Sequence, residues 1–183
     1  IFKIMVNKKN NLIKNNHKLV SVDELIKIKS KGNKSLIICH GVFDVVHPGH
    51  VRHLIYAKSK ADLLVVSLTA DKHIDKGIYR PHVPEKIRAF NLAAFEVVDF
   101  VIIDEHSTPI KNLKKIKPNF FAKGFEYNSK KINPKTQLEI ETLKKFGGQI
   151  IFTPGDVIYS SSKLLTSHLP DIKYEKLNSL MKD

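Results

Sequence analysis

Little in this chain can cross-link or cross a bilayer. Its single cysteine, Cys39, excludes an internal disulfide, which suits a reducing compartment. No stretch is both long and apolar enough to span a membrane, and no signal-peptide pattern opens the sequence, so the expectation is a cytoplasmic protein. Tryptophan is absent, and the ten Phe fall mostly within apolar runs. Nucleic-acid surfaces interleave exposed aromatics with basic residues, so that reading is disfavoured. No internal repeat is present, which excludes solenoid architectures. Acidic residues are also scarce: 18 Asp and Glu stand against 31 Lys and Arg, a net charge of +13. Much of that surplus reads as solvated surface lysine, and the remainder favours anionic partners such as nucleotides and sugar phosphates.

What is present is a globular composition, 42% hydrophobic and 27% charged, in 183 residues, enough for one domain with a core. The chain opens on Ile1, as a processed or excised chain would. Residues 1–18 are rich in Lys and Asn and read as a flexible N-terminal segment; the folded domain is expected over 19–169, and 170–183 as a polar tail or linker. Ser21 followed by Glu24 matches a capping box ahead of a short helix. Apolar runs near 36–39, 62–68, 97–104, 119–122 and 149–153 read as strands, separated by helical patterns. Strands alternating with helices predict an α/β, Rossmann-like fold. Its sheet is open, mostly parallel and five-stranded, with helices on both faces and ligands at the carboxyl ends of the strands.

The most informative stretch is 36–56. An apolar strand breaks at Gly41, passes Val42, Phe43 and Asp44, and reaches His47-Pro48-Gly49-His50, where helical spacing begins. Pro48 suits the first helical position, and Gly49 lets a ligand approach the backbone. The helix N-terminus is an anion site, and His47 and His50 could hold phosphate oxygens beside it. A metal reading stays open too, with His47, His50 and His53 spaced by three and Asp44 or His40 as a further ligand. Cys39, within the strand, reads as an inert core residue. Lys72, Lys76 and Arg80 are ordinary loop cations by residue type, and Arg88 fits either a structural ion pair or an anion contact. Ser160-Ser161-Ser162-Lys163 fits a helix cap, and also S-x-x-K, although no other β-lactamase motif accompanies it.

Gly41-x-Phe43-Asp44 followed by His47-Pro48-Gly49-His50 resembles the GxFD…HxGH signature of the cytidylyltransferase-like nucleotidyltransferases. Collinear matches follow at Lys76-Gly77-x-x-Arg80-Pro81, Glu85-x-x-Arg88, Val98-Asp99, Lys123-Gly124-x-Glu126-Tyr127, Gly147-Gly148 and Ser160–Ser162. Within the superfamily the pattern is most similar to the adenylyltransferase domain of ADP-heptose synthase and to domains fused to ribokinase-like sugar kinases. The resemblance implies a nucleotidyltransferase that moves a nucleoside monophosphate onto a sugar phosphate and releases pyrophosphate. It implies His47, His50 and Lys76 (Lys72 as rival) at the reacting phosphates. Gly41, Val42, Phe43, Gly49, Lys123, Gly124, Ser160, Ser161 and Ser162 would line the nucleotide site. Asp44, Arg88 and Glu126 would face the acceptor, with Glu126 standing where several relatives have Asp, and Asp44 either orienting the acceptor or binding through Mg²⁺. Mg²⁺ would arrive with the triphosphate, and no protein metal site is expected. A homodimer and an adjacent sugar-kinase domain are implied partners. No Arg precedes the serine motif, which counts toward ATP and against CTP. A CTP-dependent transferase, an adenylyltransferase for a flavin or pantetheine precursor, a basic nucleic-acid binder and a non-catalytic nucleotide sensor remain the alternatives.

Overall fold

A computed structural model describes residues 17–75, 77, 80–127 and 133–154. Strands β1 (Leu36–Gly41), β2 (Leu63–Thr69), β3 (Phe100–Asp104), β4 (Phe120–Lys123) and β5 (Gln149–Phe152) form one sheet in the order β3-β2-β1-β4-β5. Every pairing in it is parallel. Helices α1 (Val22–Ser30), α2 (Pro48–Lys58), α3 (Glu85–Ala93), α4 (Ile110–Ile116) and α5 (Pro134–Lys144) precede or connect the strands. The fold is Rossmann-like, as the alternating pattern predicts.

Strand parity assigns the two faces. Ile37, Cys39, Leu64, Val66 and Leu68 point toward Leu54 and Ala57 of α2 and Ala89 and Leu92 of α3. Leu36, Ile38, Val65 and Ile102 point the other way, toward Leu25 of α1, Leu113 and Ile116 of α4 and Leu143 of α5. A sheet covered on both faces explains why its strands read as continuous apolar runs. Each fully buried Leu or Ile adds roughly 1.5–3 kcal/mol from apolar transfer. Cys39 is buried within this layer, and burial pushes its thiol pKa up, which fits an inert core role.

Local chemistry fixes the element ends. Ser21 and Glu24 form the reciprocal capping box of α1. The third strand starts at Phe100 rather than Val97. Val98 is buried in the preceding turn, and Asp99 accepts from Leu64 N (2.7 Å) and Lys58 Nζ (2.6 Å). Lys18–Val20, expected at the edge of a flexible segment, run beside β3: Val101 N donates to Lys18 O and Val20 N to Val101 O. The remaining expectations for the N-terminal segment, the last helix and the tail fall outside the described residues.

The order of strands reverses at β1, with β2 and β3 on one side and β4 and β5 on the other. The carboxyl ends of β1 and β4 are therefore the topological switch point, where sheets of this kind bind ligands. One packing prediction follows from the turn into β5. A Cβ at Gly148 would sit 2.8 Å from the Pro118 carbonyl oxygen and 2.8 Å from the Phe146 ring. Gly148→Ala should therefore lower stability by about 1–3 kcal/mol in urea unfolding. Gly32→Ala, whose nearest neighbour is 3.9 Å away, should be close to neutral in the same measurement.

Candidate active site

A cleft of about 710 Å³ opens at this switch point. Its centre is the turn from β1 into α2. Phe43 has φ 48°, a left-handed backbone that bulky residues rarely adopt, and it turns the chain sharply away from the sheet. Its ring folds back over Gly41, where a Cβ would lie 3.1 Å from the ring. A side chain at 41 would have to push the ring aside by a few tenths of an ångström. The ring also rests against His50, with centroids 4.9 Å apart.

His47 is the N-cap of α2 and Pro48 takes the first helical position. The two imidazoles stack, with centroids 3.8 Å apart and planes 28° apart. The His47 side chain makes no capping bond, and its Nδ1 is buried without a hydrogen-bond partner among the described residues. Burial also lowers the His47 pKa. A buried ring nitrogen beside a helix N-terminus with no acid in its first turn is suited to an anionic oxygen.

The β4–β5 side carries ring and apolar surface. Lys123 Nζ lies 2.5 Å from Glu139 Oε2, both largely buried, and 4.3 Å from the centre of the Tyr127 ring. Phe125, Tyr127 and Leu138 are large, exposed and part of the cleft wall. His53 Nδ1 meets Thr153 Oγ1 at 3.1 Å, and burial lowers the His53 pKa to about 4.

The β2–β3 side is polar, with His40, Thr69, His73, Ser107 and Thr108 in the wall. Asp44 is 4% exposed; its Oδ1 accepts from Val83 N (3.0 Å) and its Oδ2 meets Arg80 Nε at 2.8 Å. Behind it lies Arg88, 1% exposed. Its Nε donates to Val83 O (2.8 Å), Nη1 to Val42 O, and Nη2 to Thr69 O (3.0 Å) and Asp71 Oδ1 (2.5 Å).

A profile of the cytidylyltransferase-like family matches residues 38–167, from β1 through the serine motif. The chain belongs to the cytidylyltransferase-like family. It is 40% identical over 117 residues to the bifunctional protein HldE of Campylobacter fetus, covering 63% of this chain and 25% of the relative. The HldE of Helicobacter pylori strain Shi470 is 37% identical over 117 residues, with the same shares covered. The chain thus spans about a quarter of the length of these relatives. A lipopolysaccharide core biosynthesis protein from Thermoplasma volcanium superposes with TM-score 0.57 and 25% identity, over 68% of this chain and all of that one. The pantoate-β-alanine ligase of Francisella tularensis shares the fold alone, at TM-score 0.59 and 15% identity, over 90% of this chain and 79% of that one.

For a nucleotidyltransferase of this family, the structure gathers Gly41, Val42, Phe43, Asp44, His47, Gly49, His50, Lys123 and Gly124 around one cleft. Lys76, Ser160, Ser161 and Ser162 lie outside the described residues, and of Glu126 only the backbone, in a 3₁₀ turn, is described. Arg88 stands apart. It does not line the cleft, and its donors hold backbone carbonyls and Asp71, as a structural ion pair would. Among the described residues no group of three His, Cys, Asp or Glu is placed to hold a metal ion. Sequence reading missed Glu139 as the partner of Lys123, and it missed the polar wall around His40. The signal for the second was a polar residue at the end of each of three apolar strands.

Two expectations follow. Arg88→Lys keeps the charge but cannot reach three carbonyls from one planar fork. It should lower thermal stability and loosen nucleotide and acceptor binding together; selective loss of acceptor affinity with an unchanged melting temperature would restore the phosphate-holding role. His53 is neutral in the fold and protonates more readily when unfolded. Its stabilisation is complete above its unfolded pKa near 6.5 and is lost as pH falls toward about 4. Melting temperature should drop across that window, and the drop should be shallower in His53→Gln.

Proposed function

We propose that this cytidylyltransferase-like enzyme transfers AMP from ATP to a sugar phosphate and releases pyrophosphate. The observation that carries the reading is the stacked His47–His50 pair at the N-terminus of α2, set at the switch point of a parallel sheet. A phosphate oxygen of the acceptor attacks the α-phosphorus. The new P–O bond forms as the bond to the β-phosphate oxygen breaks, and pyrophosphate leaves with that electron pair. No protein nucleophile is required; catalysis is positioning and neutralisation of charge that moves onto the leaving group. His47 and His50 bond the phosphate oxygens, and the first-turn amides of α2 share the load. Lys76 and the serines at 160–162 complete the phosphate contacts in this reading.

The two sides of the cleft suit the two substrates. Phe125, Tyr127 and Leu138 offer ring and apolar surface to a base, and the polar β2–β3 wall suits a hydroxylated acceptor. In this reading Mg²⁺ arrives with the triphosphate as part of the substrate. Among the described residues no helix is long and apolar enough to cross a membrane, and the reading places the reaction in the cytoplasm. The long relatives are named bifunctional, which supports a second activity beside this domain, and in this reading that activity is a sugar kinase supplying the acceptor. A homodimer completes the proposal.

His50→Ala should reduce turnover about a hundred- to thousand-fold, the loss typical of one transition-state donor, and change the KM for ATP much less. Pyrophosphate release measured with a panel of triphosphates and sugar phosphates tests this. Unchanged turnover in His50→Ala removes the histidine assignment, and preference for CTP replaces the nucleotide.

A further inference from the structure

At the carboxyl edge of the sheet, polar side chains replace the apolar layer on one face only. Leu36 and Ile38 precede His40 in β1, Leu63 and Val65 precede Ser67 and Thr69 in β2, and Ile102 precedes Asp104 in β3, all at the same parity. His40 pairs with Ser67 in register, and Thr69 with Asp104. A fully buried carboxylate and two buried hydroxyls add nothing to a core that apolar residues of like volume would fill as well.

Two proton orders fit this cluster, with the Ser67 hydroxyl donating either to Asp104 Oδ2 or to His40 Nδ1; the first gives both carboxylate oxygens a donor. Asp104 Oδ1 accepts from His106 N (3.0 Å) and faces His106 Nδ1 (2.9 Å). In that order Asp104 Oδ2 takes the Ser67 hydroxyl proton over a long 3.5 Å. Ser67 Oγ then has only lone pairs to offer His40 Nδ1, 3.0 Å away. The proton of the ring therefore sits on Nδ1, and Nε2 carries a lone pair. Burial, reinforced by Lys123 and opposed by Asp104, lowers the His40 pKa to about 4, so the ring is neutral near pH 7. Nε2 faces Thr69 Oγ1 at 3.4 Å, a contact as weak as that of Ser67 with Asp104, and the side chain is 15% exposed in the cleft wall. A lone pair there repels a phosphate oxygen and accepts from a hydroxyl.

We infer that His40 reads a hydroxyl group of the acceptor through Nε2, and that Asp104, acting through Ser67, holds the imidazole in the tautomer able to do so. The inference rests on the proposed transfer reaction, in which His40 determines specificity and Ser67 and Asp104 are positioning residues. It places the sugar of the acceptor on the β2–β3 side of the stacked histidines.

Two measurements decide it. Two-bond ¹⁵N–¹H correlation spectra of the full chain should show His40 as the Nδ1–H tautomer, and Ser67→Ala should mix the two tautomers. An Nε2–H ring in the unmodified protein overturns the inference. Pyrophosphate release is then followed with ATP and a set of sugar 1-phosphates and glycerol 3-phosphate, and the best acceptor is compared with its monodeoxy analogues. Loss of the hydroxyl that His40 reads should cost about tenfold in kcat/KM, the upper end for one neutral hydrogen bond. In His40→Ala that penalty should vanish, in Ser67→Ala it should shrink, and the KM for ATP should hold in both. A merely structural role lowers kcat/KM for all acceptors alike. Undiminished discrimination in His40→Ala, or a penalty that appears with 2′-deoxy-ATP instead, overturns this inference alone. No turnover with any acceptor overturns the transfer reaction and this inference with it.

Discussion

The buried guanidinium of Arg88 holds the site together. One planar group bonds carbonyls at the exit of β1 (Val42), the exit of β2 (Thr69) and the entrance to α3 (Val83), and closes on the Asp71 carboxylate. Those three segments have no covalent reason to converge. Val42 directly precedes Phe43, whose left-handed backbone is a conformation the surroundings must impose. Fixing the Val42 carbonyl fixes the direction in which the chain leaves the sheet, and with it the start of α2. The histidine stack inherits its geometry from that anchor. A lysine would keep the charge and lose the fork, so the position is defined by shape as much as by sign.

Around this anchor the electrostatics are arranged in pairs. Asp44 is met by Arg80, Lys123 by Glu139, and Asp104 by His106 and Ser67. Paired groups of this kind stay ordered in a partly dry cleft, where an isolated charge would draw in water or lose its proton. The His47 ring nitrogen is the contrast: it is buried and has no protein partner among the described residues. The contrast separates groups that shape the cleft from the group left to meet a ligand.

Much of this was legible in the sequence, for identifiable reasons. Continuous apolar runs revealed the buried parallel strands, and Ser21 with Glu24 revealed the first helix start, because both signals are local. Gly41, Phe43, His47, Pro48 and His50 were legible because a turn, a proline and two polar rings at a helix start are rare together. Arg88 was ambiguous because its partners are carbonyls, which every residue carries and no sequence advertises. The Lys123–Glu139 pair was invisible for a related reason: it joins a strand end to the second turn of a later helix, and only the fold decides that distance. The polar edge around His40 left a parity signal that spacing alone could have raised, but its proton order depends on contacts between three strands.

The switch point has a consequence for how the protein is made. The first strand pairs on one side with β2 and on the other with β4, and Leu36 N is capped by Asn119 Oδ1, 83 residues away. Parallel pairing allows no hairpin shortcut, so the two walls of the cleft meet only after most of the chain has been laid down and ordered. The cleft thus depends on segments far apart in the chain being ordered together. Ligand binding then reports on completion of the whole sheet, and a fault in either distant strand appears as fewer competent molecules rather than weaker ones.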